Sequence, residues 1–138
     1  MVYFINDLFK DYINELRIVF RFQHENIVNP LDVFSGKKNN YIVYEYINNG
    51  SLRDAIEGNR ISSIHQVIDI IISIAKGLEH IHKSGIIHRD LKPENILIHQ
   101  ENNHETYKIT DFGISKYCTD EGFLQTSIGS PSYMAPEQ

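Results

Sequence analysis

Residues 88–95 read His-Arg-Asp-Leu-Lys-Pro-Glu-Asn, and Asp111-Phe112-Gly113 begins sixteen positions after Asn95. The loop therefore carries a carboxylate (Asp90), an ammonium (Lys92) and an amide (Asn95) within six residues, stiffened by Pro93. A carboxylate can orient a hydroxyl and take its proton, and an ammonium can neutralise a phosphate as a point charge. An amide oxygen with a second carboxylate, Asp111, can hold a hard divalent cation. A solvated polar loop would explain any one of these residues. It does not explain the ordered octet, the Asp-Phe-Gly beyond it and Ala135-Pro136-Glu137 further on.

Such groups act together only if the chain brings them together. Ile5, Leu8, Phe9, Tyr12, Leu16 and Val19 recur at helical spacing, with Asn6 or Asp7 as a cap. Tyr41 to Ile47 reads as a strand, and Asn48-Asn49-Gly50 as a turn. Ser51 with Asp54, and Ser63 with Gln66, predict capping boxes that open a short helix and a long one. In the long helix Ile64, Val67, Ile68, Ile71, Ile72, Ala75 and Leu78 form one apolar face. Ile70, Ile74 and Ile81 widen it beyond half the circumference, which predicts burial on more than one side. Gly85 is the expected stop, with Lys83 suiting the helix dipole. Ile96-Leu97-Ile98 and Tyr107-Lys108-Ile109 predict two short strands joined by a polar loop from His99 to Thr106. That hairpin returns Asp111 to the side of Asn95.

At 138 residues the chain is one domain or part of one, with the apolar and charged content of a soluble globular protein. A net charge of −5 without a basic cluster argues against nucleic-acid or membrane-surface partners. Cys118 is the only cysteine, so no internal disulfide forms, and the seven histidines are too scattered for a zinc site. There is no apolar run of transmembrane length and no signal-peptide pattern at the N-terminus, which predicts a cytoplasmic protein.

The octet, Asp111-Phe112-Gly113 and Ala135-Pro136-Glu137 resemble the eukaryotic protein kinases, and Lys92-Pro93-Glu94 resembles their serine/threonine type. The resemblance implies an α+β, protein-kinase-like fold, truncated. Residues 1–44 would be a remnant of the small lobe with helix C, 45–50 the hinge, and 51–138 the start of the large lobe with catalytic loop and activation segment. It implies transfer of the ATP γ-phosphate to a protein Ser/Thr hydroxyl, with ATP and Mg2+ as cofactors. Asp90 would orient the hydroxyl and accept its proton, Lys92 would face the migrating phosphoryl group, and Asn95 and Asp111 would hold magnesium. The His24-Glu25-Asn26-Ile27-Val28 segment registers Glu15 as the helix-C glutamate. Backbone groups of the Glu45–Ile47 hinge would bind adenine, Tyr44 would stand behind it, and Leu97 would form its floor. Arg89 precedes Asp90, as often accompanies activation-loop phosphorylation. Thr126, then Ser127, best match the phosphosite, and Ser130 the residue that contacts the catalytic pair. Partners implied are a protein substrate, ATP and an upstream kinase or regulatory protein. Val19, His88 and Phe112 match apolar-spine positions; Pro30 falls on another, with Leu31 as the alternative one residue on.

Two parts of that family pattern are not among these 138 residues: the glycine-rich phosphate loop and the strand lysine that pairs with Glu15. Lys10 is read as a solvated helix residue and not as that anchor. The later large-lobe helices are also absent from the sequence, leaving several isoleucines without cover at about 1.5–3 kcal/mol each. The isolated 138-residue polypeptide is therefore expected to be unstable or partner-dependent. Beside the enzyme reading stand a truncated, catalytically inactive kinase-like regulatory module and an incomplete gene model.

Overall fold

The computed structural model describes residues 2–5, 20, 23–36, 40–111, 116–117 and 133. β-Branched and aromatic residues suit β3 (Asn40–Tyr44) to the centre of a three-stranded antiparallel sheet. On its two sides lie β1 (Val2–Ile5) and β2 (Pro30–Ser35). Ile42 of β3 is buried, and Phe34 stacks on Tyr41 directly across the β2–β3 pair at 4.8 Å.

Two expectations are corrected here. Ile5 ends a strand and does not begin the helical stripe, and β3 stops at Tyr44, not Ile47. The rest of that stripe, Leu8 to Val19, lies outside the described residues. Pro30 cannot donate to the ladder, and the register slips between Pro30 and Asp32. Leu31 at the slip is 64% exposed, so it does not fill a buried position in place of Pro30.

Residues 45–50 run without regular structure to Ser51, the N-cap of α1 (Leu52–Glu57). Both halves of the predicted capping box form there: Ser51 accepts from the Asp54 amide, and the Asp54 carboxylate accepts from the Ser51 amide. The long helix α2 (Ile64–His82) starts at Ser63, whose hydroxyl accepts from the Gln66 amide. The Gln66 side chain reaches back to the Ser62 amide, one residue before the cap. The helix ends at His82, and Gly85 takes the left-handed conformation (φ +72°) in the turn that follows.

The buried face of α2 is Ile70, Gly77 and Ile81, with Ile74 and Leu78 packed at its border. Ile64, Ile68, Ile71 and Ile72, expected on the main apolar face, are 46–67% exposed. Gly77 decides between the faces. A Cβ there would lie 2.8 Å from the Asn26 carbonyl oxygen and 2.9 Å from Ile109 Cδ1, so only the glycine side of the helix can approach this closely.

Beyond α2, β4 (Ile86–Ile87) pairs with β7 (Lys116–Tyr117). A single 3-10 turn (Pro93–Asn95) then leads into the hairpin of β5 (Ile96–Glu101) and β6 (His104–Ile109). The hairpin is longer than predicted, because the loop is only Asn102-Asn103. Both have positive φ (48° and 63°), which suits a two-residue turn matched to strand twist. The Asn26–Val28 segment runs along β6: the Ile109 amide donates to Asn26, and the Val28 amide donates to Ile109, each at 2.9 Å. Ile27, Ile96, Ile98 and Ile109 are the most buried side chains of the core that results. Among the described residues no helix is long and apolar enough to cross a membrane.

Candidate active site

Three elements meet at the His88–Asn95 loop. β4 delivers it from the end of α2, the 3-10 turn closes it, and the β5–β6 hairpin returns the chain to its side. Pro93 opens the 3-10 turn with its fixed φ, and the Asn95 amide donates to the Lys92 carbonyl at 2.9 Å. This turns the Asn95 side chain back into the loop. Its Nδ2 donates to the Asp90 carbonyl at 2.8 Å and to Asp90 Oδ2 at 3.2 Å. Lys92 Nζ donates to the same Oδ2 at 2.6 Å. Asp90 is 8% exposed, so its carboxylate is held by an ammonium and an amide in a largely water-excluded place. The bond to Asp90 raises the Lys92 pKa, which keeps that side chain cationic.

Asp111 is tied to this loop through its neighbour. The Thr110 amide donates to the Asn95 carbonyl at 2.9 Å, and the Thr110 carbonyl lies 2.8 Å from His88 Nε2. A carbonyl can only accept, so Nε2 carries the proton; Nδ1 in turn accepts from the Asp90 amide at 3.3 Å. His88 is thus a neutral, buried strut between the loop and the residue before Asp111. Arg89 and Asp111 both sit at positive φ (69° and 64°), a conformation costly for residues with a Cβ and sustained by these surrounding bonds. Asp111 itself is exposed.

Burial lowers the His88 pKa from 6.5, against smaller raising effects from Thr110, Asp111 and Asp90. Burial, and next the nearby His80, lower that of His24 as well. The unfolded chain therefore takes up protons below about pH 6.5 that the folded form refuses. These groups cost nothing above that pH, and stability falls as the pH drops from 6.5 through the folded values. We predict that urea unfolding shows a larger loss between pH 7.5 and 5.5 for the wild type than for His88→Gln. Equal losses would exclude His88 as a buried neutral group.

Hydrogen bonds fix the 45–51 segment to the hairpin at several points. Asn48 and the Gln100 backbone exchange two hydrogen bonds (2.8 and 2.9 Å). The Asn49 amide donates to Ile98, and the Ile98 amide to Gly50. Ser51 bridges to Leu97. Leu97 is half-buried and alternates with the core residues Ile96 and Ile98, so it lies on the other face of β5 beside this segment. Ile47 is buried and Tyr46 is 75% exposed. Among the described residues neither the Glu45 carbonyl nor the Ile47 amide takes part in a backbone hydrogen bond. The Glu45 carboxylate has a role the sequence did not disclose: Oε1 accepts from the Asn29 amide at 2.8 Å and from the buried Lys108 Nζ at 3.0 Å. Lys108 between Tyr107 and Ile109 was the available signal.

The structure thus gathers Asp90, Lys92, Asn95 and the Thr110-Asp111 corner, and separately sets Glu45, Ile47 and Leu97 around one stretch of backbone. Glu15, Phe112, Thr126, Ser127, Ser130 and Ala135–Glu137 lie outside the described residues. A second group was missed altogether. Arg53 of α1 donates to Glu94 of the loop at 2.9 Å and to the Tyr133 hydroxyl at 2.6 Å. Among the described residues no three His, Cys, Asp or Glu side chains converge as a metal site. The Asn95 amide spends its nitrogen on Asp90, so its oxygen, with the carboxylate of Asp111, is the kind of donor that suits a hard cation. Magnesium suits so sparse a set, since it commonly completes its shell with phosphate oxygens and water.

Comparison with known proteins adds extent to this geometry. A calcium/calmodulin-dependent protein kinase type 1 of Macrobrachium nipponense is 35% identical over 90% of the chain and 36% of its own length. A probable serine/threonine-protein kinase of Clostridium perfringens is 41% identical over 97% of the chain and 20% of its own length. A serine/threonine-protein kinase of Candida albicans is 41% identical over 91% of the chain and 13% of its own length. The chain thus spans about a third or less of these relatives. The family model of the protein kinase domain matches residues 5–138, taking in β2, β3, both helices, the loop and the hairpin. On that extent of match the chain belongs to the protein kinase family.

Proposed function

We propose that the protein of which this chain forms part transfers the γ-phosphate of ATP to serine or threonine hydroxyls of protein substrates in the cytoplasm. The observation that carries the reading is the Asp90 carboxylate, buried and fixed by Lys92 and Asn95 next to the corner that bears Asp111. In the reaction the acceptor hydroxyl oxygen bonds to the γ-phosphorus as the bond to the bridging oxygen of the diphosphate breaks. Asp90 orients that hydroxyl and receives its proton. Lys92, cationic and 2.6 Å from Asp90, offers positive charge to the transferring group. Magnesium, when bound, neutralises phosphate charge, and Asp111 with the Asn95 amide oxygen would hold it.

The 45–50 segment acts as the hinge, presenting the Glu45 carbonyl and Ile47 amide to adenine above Leu97. Residues 1–44 and 51–138 belong to the two lobes on either side. The serine/threonine assignment is supported by Lys92-Pro93-Glu94 and by the likeness to the serine/threonine-protein kinases of Clostridium and Candida.

Calorimetric titration of the full-length protein with ATP tests the metal half of this reading. Binding should strengthen with magnesium, and Asp111→Ala should lose most of that gain while keeping the magnesium-independent component. Magnesium dependence unchanged in Asp111→Ala would remove Asp111 from the site.

A further inference from the structure

We propose that Arg53 is a positioning residue that fastens the segment at Tyr133 to the catalytic loop, so that use of the protein substrate depends on it. The proposal rests on the kinase reading above and extends it to a residue outside the octet. Arg53 stands in the first turn of α1, whose start is fixed by the Ser51–Asp54 capping box. Leu52 and Ala55 bury the neighbouring positions, which sets the orientation of the helix against the loop. From there Nε donates to Glu94 Oε1 at 2.9 Å, and the same guanidinium donates to the Tyr133 hydroxyl oxygen at 2.6 Å. One planar fork thus spans two acceptors that lie 39 positions apart in the chain (133 − 94). A lysine, with a single ammonium on a flexible stem, cannot reproduce both bonds in that geometry.

The placement gives the fork its consequence. Glu94 directly precedes Asn95, so Arg53 acts on the loop one residue from the side chain that holds Asp90. Tyr133 lies on the far side of Asp111 in the chain, in the stretch that leads to Ala135-Pro136-Glu137. The side chains of Arg53 and Glu94 are 33% and 42% exposed, so their pair adds little to global stability. Variants should therefore fold, and the loss should appear in substrate handling.

In the full-length protein, Arg53→Ala should raise the KM for a protein substrate roughly tenfold, about the value of one charge-assisted hydrogen bond. The KM for ATP should stay the same. Tyr133→Phe should move in the same direction, and the double variant should be no worse than Arg53→Ala alone. Arg53→Lys should not restore the wild-type value. An unchanged protein-substrate KM, an equal rise for ATP, or additive single effects would each overturn the proposal. Amide exchange reads the contact without turnover. Exchange of the peptide containing Tyr133 should quicken in Arg53→Ala and Tyr133→Phe, and unchanged exchange would disprove the fastening itself. A wild type that transfers no phosphate would refute the kinase reading and the substrate role of Arg53 together. Amide exchange would then still report separately on the fastening.

Discussion

Replacing Asp90 with alanine in the full-length protein is expected to lower phosphoryl transfer roughly 10²–10⁴-fold, the range of a general acid–base group, while ATP binding changes little. The separation of effects follows from where the carboxylate sits. It bonds to Lys92 and Asn95, whereas the 45–51 segment is held by the β5–β6 hairpin. Asn95 keeps its second bond, to the Asp90 backbone carbonyl at 2.8 Å, so the loop retains its closure in the variant. Asp90→Asn sharpens the comparison. The amide can still accept from Lys92 but cannot take a proton at neutral pH, so this variant should be nearly as slow as alanine. Activity close to wild type in Asp90→Asn would mean that the carboxylate orients the hydroxyl and does not receive its proton.

Gly77→Ala is expected to destabilise the protein by about 1–3 kcal/mol, the usual cost of forcing extra volume into a packed core. The sign matters, because helix propensity alone predicts the opposite: alanine in place of a mid-helix glycine usually stabilises by roughly 1 kcal/mol. Here the added Cβ meets the Asn26 carbonyl oxygen at 2.8 Å and Ile109 Cδ1 at 2.9 Å. The isoleucine tip could rotate, but the carbonyl is backbone and already accepts the Ile109 amide. Relief requires α2 to move off the hairpin or the 26–28 segment to leave β6. A denaturant midpoint lower than wild type checks this, and a raised midpoint would show that the helix does not pack on its glycine side.

Local chemistry made much of the site legible in the sequence. The octet and Asp111 were recognisable because charge, amide and proline occur at short fixed spacings, and the Ser51–Asp54 box because it is closed within four residues. What could not be read depended on contacts between distant parts of the chain. α2 is apolar over more than half its circumference, so periodicity could not choose the buried face; the fit of Gly77 against Asn26 and Ile109 does. Ile5 falls in phase with the helical stripe by coincidence, and its pairing with Asn40 in β1–β3 carries no mark in local sequence. The hairpin was read as too short because His99 to Thr106 is polar. Its strands persist through cross-strand pairing and are turned by two asparagines at positive φ. Glu45–Lys108 and the Arg53–Glu94–Tyr133 fork join residues 39 to 80 positions apart, beyond the reach of any spacing argument.

The most direct measurement is phosphoamino-acid analysis of a protein substrate incubated with the full-length protein, magnesium and ATP labelled at the γ-position. The account predicts label on phosphoserine or phosphothreonine, abolished by a metal chelator and nearly abolished by Asp90→Ala. Absence of label in the wild type, label on tyrosine alone, or undiminished label in Asp90→Ala would contradict it.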